Sequence, residues 1–334
     1  MKFQSKPRKR SLMRTLLGLP LAAALAGIAY SKQFIDHSMM LPNAVSGERR
    51  ELLTPAGRLA YYTAGQGEPL LLIHSINAAG SAYEMRPLYE HYRASRRVYA
   101  LELPGFGFSE RSNREYTPRL YTDAILAMLD QIRRDTGADE IDALALSLGS
   151  EFLARAASEH PDRFNTIGLI APTGMRKNDR LYGEAGSVRG SPATRAFFEF
   201  PLWSRPFYDA LTSRVSIRYF LAKTFGSDTA IDNGLLEYGY LTTHQPGAQH
   251  APYAFVSGLL FSSDISRVYD SLTLPVFAAH GVRGDFTDYG RLPEYAARGN
   301  WTVAEFQTGA LPHFEAIDQF TAAYDAFLQR SLAA

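Results

Sequence analysis

The chain has 334 residues, 46% of them hydrophobic and 21% charged, with no cysteine and a formal net charge of +1. This is the composition of a globular protein, and it excludes a disulfide framework, a thiolate zinc site and a cysteine nucleophile. Six of the 35 Lys and Arg residues lie in the first 30 positions, which hold no acid, so the rest of the chain carries 29 bases against 34 acids. A mildly acidic body without a basic stripe argues against nucleic-acid binding.

The first element is a tail, residues 1–45. Lys2, Lys6, Arg8, Lys9, Arg10 and Arg14 precede an uncharged run from Leu16 to Tyr30. A basic stretch followed by an apolar core is the pattern of a secretory signal or a short membrane anchor, and Ala24-Leu25-Ala26 offers a small-residue cleavage site. The positive-inside rule keeps the basic cluster in the cytoplasm and puts the body across the membrane. The expectation is a membrane-anchored protein (residues 16–30 forming the anchor) with its main domain outside the cytoplasm. If the segment is cleaved, the protein is periplasmic or secreted.

The body then alternates strands and helices, which predicts a mostly parallel sheet flanked by helices. Glu48 to Leu53 and Arg58 to Thr63 read as a hairpin around Thr54-Pro55-Ala56-Gly57. Strands follow at Leu70–His74 and Arg97–Leu101. A helix from Thr117 to about Thr136 has a threonine cap, a proline in its first turn and one apolar face, Tyr121, Ile125, Met128, Leu129 and Ile132. Further strands are predicted at Ile141–Leu146, Thr166–Ile170, Pro275–Gly281 and Trp301–Phe306. The last helix buries Phe314, Ile317, Phe320, Tyr324, Phe327 and Leu328. Between residues 173 and 271 the alternation gives way to helical and irregular pieces. Residues 176–265 hold 15 of the chain's aromatic side chains. Such enrichment suits a segment that packs on the sheet and lines a pocket.

Four loops at strand ends carry the polar residues that chemistry would need. Ser147 follows Ile141–Leu146 directly and precedes a helical segment, Glu151 to His160, within Ala145-Leu146-Ser147-Leu148-Gly149. A strand that turns sharply into a helix with serine at its apex is a nucleophile elbow, and it needs small neighbours such as Ala145 and Gly149. His74-Ser75-Ile76-Asn77 ends the third strand, and Glu102-Leu103-Pro104-Gly105-Phe106-Gly107 ends the fourth. Asp285 and Asp288 follow the strand that closes on Gly281. His313 lies between the last strand and the last helix.

Taken together these motifs resemble the α/β-hydrolase superfamily over roughly Leu52 to Leu328, in its serine-nucleophile, cap-bearing branch. The resemblance implies a core of residues 46–172 and 272–334 and a helical cap insertion, residues 173–271. It makes Ser147 the nucleophile, His313 the base and Asp285 the orienting acid, with Asp288 as the alternative acid. The oxyanion donors would be the backbone N–H groups of Leu148 and Ile76, with Asn77 as a further side-chain donor. His74, Gly149 and Gly105 would support the site. The implied activity is cofactor-free and metal-free hydrolysis of a carboxylic ester or related apolar acyl compound through an acyl-enzyme. Lactone opening, C–C cleavage, perhydrolysis and acyl transfer use the same scaffold. A reading of another class also stands. Alanine at 145, serine at 75 and an acid loop one residue longer than usual suit a binding protein that kept the fold and lost the activity.

Overall fold

A computed structural model describes residues 25–332. Residues 16–24 of the predicted anchor lie outside it, and residues 25–34 form a helix. Among the described residues no helix is long and apolar enough to cross a membrane.

Eight strands form one sheet in the order β1-β2-β4-β3-β5-β6-β7-β8. The hairpin β1 (Glu48–Thr54) and β2 (Gly57–Ala64) is antiparallel, and β2 also runs antiparallel to β4 (Arg97–Glu102). From β4 onward the pairs are parallel: β3 (Pro69–Ile73), β5 (Ile141–Leu146), β6 (Phe164–Ile170), β7 (Val276–Gly281) and β8 (Trp301–Phe306). Every residue of β3 and β5 is buried. Successive strand residues point to opposite faces, so both faces of the sheet are covered.

The covering helices form two groups. One holds α1 (Arg86–Tyr92) and, from the end of the chain, α11 (Pro312–Glu315) and α12 (Ile317–Leu332). The other holds α2 (Pro118–Thr136), α3 (Gly149–Glu159) and α9 (Ile265–Ser271). Thr117 caps α2 by accepting the Leu120 N–H at 3.2 Å, Pro118 opens its first turn, and Gly137 ends it at φ 77°. Its predicted apolar face is buried, and Tyr121 stacks on Phe152 of α3 at 4.8 Å. Burying each such side chain is worth roughly 1.5–3 kcal/mol, so packing on the sheet, not helix propensity, holds these elements.

Between β6 and β7 lie α4 (Pro192–Phe198), α5 (Ser204–Leu211), α6 (Arg214–Phe225), α7 (Asn233–Thr243), α8 (His250–Val256) and α9. Here α5, α6 and α8 roof the strand ends. The segment 25–42 is tied onto this roof. Ser31 donates to the Asp209 carboxylate at 2.6 Å, His37 Nε2 lies 3.1 Å from the same carboxylate, and Tyr238 donates to the Pro42 carbonyl at 3.2 Å. A final short helix, α10 (Leu292–Ala296), precedes β8.

Candidate active site

Ser147 stands at the apex of the β5–α3 turn with φ 53°, a left-handed backbone that costs a residue bearing a Cβ about 1–2 kcal/mol. Its N–H donates to the Ile170 carbonyl at 2.7 Å, and the Ser150 hydroxyl donates back to the Ala145 carbonyl at 3.0 Å, which clamps the strained turn. Gly149 is required at the next position but one. A Cβ there would come within 2.6 Å of the His74 carbonyl oxygen, a backbone atom that cannot step aside. Since the strain belongs to the serine, Ser147→Gly is expected to stabilise the fold by about 1 kcal/mol. A rise in the urea midpoint checks this.

The Leu148 N–H sits at the N-terminus of α3, where the helix dipole favours negative charge. Neither it nor the Ile76 N–H donates to any acceptor among the described residues. Both flank residues that line the cavity, Ser75, Asn77 and Ser147. Asn77 does not join them. Its Nδ2 donates to the Ser75 hydroxyl at 2.8 Å and to Glu84 at 2.6 Å, and its Oδ1 accepts the Ala79 N–H at 2.7 Å. Both of its donor hydrogens are used in the loop, which corrects the expectation of an oxyanion donor at 77.

That loop is organised by Glu84, a residue the sequence reading did not single out. Its carboxylate is buried and accepts the Ser75 N–H (2.8 Å), the Ser75 hydroxyl (3.0 Å) and the Asn77 amide. Burial raises its pKa, and the hydrogen bonds partly oppose the rise. Serine at 75 accounts for the arrangement, because its hydroxyl is one of the donors. His74 holds the other side of the loop. Its Nδ1 meets the Ser75 carbonyl at 2.6 Å and its Nε2 accepts the Leu103 N–H at 3.0 Å, so the ring is the neutral Nδ1–H tautomer. Burial pushes its pKa down to about 4. Gly105 lies beneath at φ 90°, where a side chain would run into Ala251.

The proton-transfer half of the expected triad does not form. His313 is fully buried on α11; its Nε2 lies 2.7 Å from the Glu84 carbonyl and its Nδ1 has no partner. Its ring packs against Phe314 and Phe320 at 5.2 and 5.9 Å, and it takes no part in lining the Ser147 cavity. Asp285 is also elsewhere: its carboxylate pairs with Lys223, and its side chain is 53% exposed. Asp288 accepts the backbone N–H groups of Lys177 and Gly290 at 3.0 and 3.2 Å. Neither carboxylate reaches His313, and His313 reaches neither a carboxylate nor Ser147.

The physical reason lies in the last loop. Pro312 starts α11, so residue 313 is already within a helical turn and faces back onto the core. Of this loop, Ala310 and Leu311 share the cavity wall with Ser147, and Ala310 is held by its N–H to the Thr224 carbonyl at 2.8 Å. A base for Ser147 belongs at that wall, and an alanine occupies it. The small residue immediately after Gly309 was the available signal. The presence of one histidine three residues on obscured it.

The cavity has a volume of about 350 Å³. Its polar side chains are Ser75, Asn77, Glu84, Ser147 and Thr224, and apolar groups such as Ile217, Leu221 and Phe255 make up most of its wall. Glu84 is the only titratable group in that wall. An adjoining cavity of about 590 Å³ shares Ala171, Phe286 and Ala310 with it and contains Asp285 and Asp288. Among the described residues no group of three or more His, Cys, Asp or Glu is placed to hold a metal ion.

His313 also sets an expected pH dependence. Burial pushes its pKa down to about 4, against 6.5 for a free imidazole. As pH falls below 6.5 the unfolded chain binds a proton that the folded chain refuses, so stability is lost on acidification. Between pH 6.5 and pH 5 the loss is roughly 2 kcal/mol for His313 and as much again for His74. His313→Gln keeps a donor for the Glu84 carbonyl and removes the titration. Urea unfolding of this variant at the two pH values should show a loss smaller than wild type by roughly 2 kcal/mol.

The sheet order and the strained serine turn define a serine α/β-hydrolase scaffold. Residues 68–208 match the family described as alpha/beta hydrolase fold. A 2-hydroxymuconate semialdehyde hydrolase of Pseudomonas sp. (strain CF600) is 27% identical over 128 residues, which are 38% of this chain and 44% of that protein. The chain thus spans under half the length of the curated relatives it matches. Among solved structures, a meta-cleavage product hydrolase from Pseudomonas fluorescens IP01 superposes with a TM-score of 0.63 at 19% identity, covering 84% of this chain and 98% of that one. An enol-lactonase from Burkholderia xenovorans LB400 gives 0.64 at 17%, covering 84% and 100%. The chain has the α/β-hydrolase fold, with a serine at the turn after β5, and its residues 68–208 are similar to that family.

Proposed function

We propose that the protein binds an apolar carbonyl compound, an ester, lactone or ketone, and holds it without rapid turnover. The carbonyl oxygen would sit on the Ile76 and Leu148 N–H groups beside Ser147, with the apolar portion against Ile217, Leu221 and Phe255. The observation that carries this reading is Ala310 at the wall where Ser147 needs a base. A serine hydroxyl is a weak nucleophile unless a neighbour takes its proton. On this reading the site keeps the electrostatic half of acyl-transfer chemistry and lacks the proton-transfer half.

The test is calorimetric titration of methyl ketones and ethyl esters of graded chain length, with product analysis of the same samples. Binding is expected to strengthen with chain length, to be lost in the cavity-filling variant Ile217→Trp, and to leave the ester intact. Rapid ester cleavage that disappears in Ser147→Ala would overturn the reading.

A second reading, hydrolysis of an ester or related acyl compound through an acyl-enzyme on Ser147, is favoured by the strained φ of that residue and by the hydrolase names of the relatives. It requires His313 to leave the Glu84 carbonyl and Asp285 to leave Lys223. From the basic and apolar N-terminal sequence we also propose a membrane anchor with the body outside the cytoplasm. Protease accessibility in intact cells tests that sidedness.

A further inference from the structure

Seven of the sixteen large hydrophobic side chains exposed among the described residues lie between residues 197 and 220. They are concentrated on α4, α5, α6 and the turns that join them. Phe197 and Phe200 pack on Trp203 at 5.3 and 4.4 Å, and Phe198 stacks on Phe207 at 5.2 Å, yet Phe197, Phe200 and Phe207 remain 60%, 48% and 41% exposed. An aromatic cluster of this kind on a protein surface marks an interaction face.

Its surroundings identify the partner. Residues 192–225 carry five bases against two acids, Glu199 and Asp209; Arg195, Arg205, Arg214 and Lys223 are paired with Glu199, Asp209, Glu237 and Asp285, and Arg218 has no ion pair among the described residues. Aromatic rings at the apolar surface with Lys and Arg beside them are the pattern of a segment that lies in an anionic membrane interface. The N-terminal helix is fastened to α5, the helix that carries Phe207, through the buried pair Ser31 and Asp209. It presents Tyr30 and Phe34, 60% and 73% exposed, on one side, and the chain before it contains the uncharged run from Leu16 and six bases. The apolar run therefore leads into a helix that packs on α5, one of the elements of the aromatic face. On α6, Phe220 is 48% exposed and also lines the Ser147 cavity.

We infer that the α4–α6 face docks onto an anionic lipid bilayer, with Trp203 and its neighbouring rings inserted at the headgroup boundary and the cavity opening beside the lipid. This inference is independent of whether Ser147 turns substrate over, because it concerns the outer side of the helices that roof the cavity.

The chain's two tryptophans make the face measurable. Trp301 is 4% exposed, enclosed by Tyr269 and Tyr295 at 6.2 and 4.6 Å, whereas Trp203 lies in the patch. The full chain is mixed with vesicles of phosphatidylglycerol and phosphatidylethanolamine whose acyl chains are brominated. Trp203 emission is expected to be quenched, and Trp203→Phe protein is expected to keep unquenched Trp301 emission. Replacing Phe200 and Phe207 with serine should lower partitioning of the patch about tenfold per ring, read as loss of quenching. Vesicle-bound protein with unquenched Trp203 would show that the tail alone attaches the chain and would overturn the inference. So would self-association through this face that hides Trp203 from lipid, or an absence of vesicle binding.

Discussion

Ala310→His is expected to raise the rate at which a fluorophosphonate labels Ser147 by on the order of 100-fold, the lower end of what a positioned general base contributes. The alanine methyl lines the same cavity as the serine, and the roughly 350 Å³ of space in front of it admits an imidazole without displacing core side chains. The backbone at 310 is already fixed by its bond to the Thr224 carbonyl. Adding Lys223→Met should raise the rate again, but only in the Ala310→His background. Asp285 lies in the adjoining cavity that Ala310 also lines, and its carboxylate is held by Lys223. Freed from that cation, it can orient the new imidazole; without the imidazole it has nothing to orient. Rates of the four proteins form a double-mutant cycle, and a strictly additive outcome would place Asp285 outside the site.

Removing Glu84 has the largest expected effect on stability. Its buried carboxylate accepts three hydrogen bonds, so Glu84→Ala leaves the Ser75 N–H without its acceptor and the Asn77 amide with the Ser75 hydroxyl alone. A buried orphan costs about 1–3 kcal/mol, and with the weakened Asn77 contact the loss should be roughly 2–4 kcal/mol in urea unfolding. Glu84→Gln keeps one acceptor oxygen and should cost less than half as much. The same loop sets the direction of the Ile76 N–H, so ligand affinity should fall with stability in the alanine variant. A Glu84→Ala protein as stable as wild type would mean that the loop is held by something else.

Much of the scaffold was legible in the chain because burial imposes periodicity. Ile141–Leu146 is apolar apart from Asp142 and bounded by a turn, and it forms β5 at those limits; Trp301–Phe306, a mixed segment, forms β8 at its predicted limits. The serine turn was legible from its small neighbours, since a strained turn excludes bulk whatever the rest of the chain does. The base was not. A histidine after the last strand matched the required residue type, but whether a side chain faces the cavity depends on where α11 begins, and Pro312 sets that three residues after Gly309. Asp285 failed for a different reason: Lys223, 62 residues earlier, captures it, and no local pattern announces a partner at that distance. Glu84 was missed because its role depends on Ser75 and Asn77, two residues read separately for the turn they make.

A strained serine facing an apolar cavity lined by no imidazole should be a slow nucleophile. The most direct measurement is the second-order rate of fluorophosphonate labelling of the wild-type chain, with the modified residue identified by peptide mass. Wild type is expected to label at Ser147 slowly, at a rate that does not change when His313 is replaced by Gln. Fast labelling of Ser147 that collapses in His313→Gln would mean that the histidine reaches the serine after all, and would contradict the account.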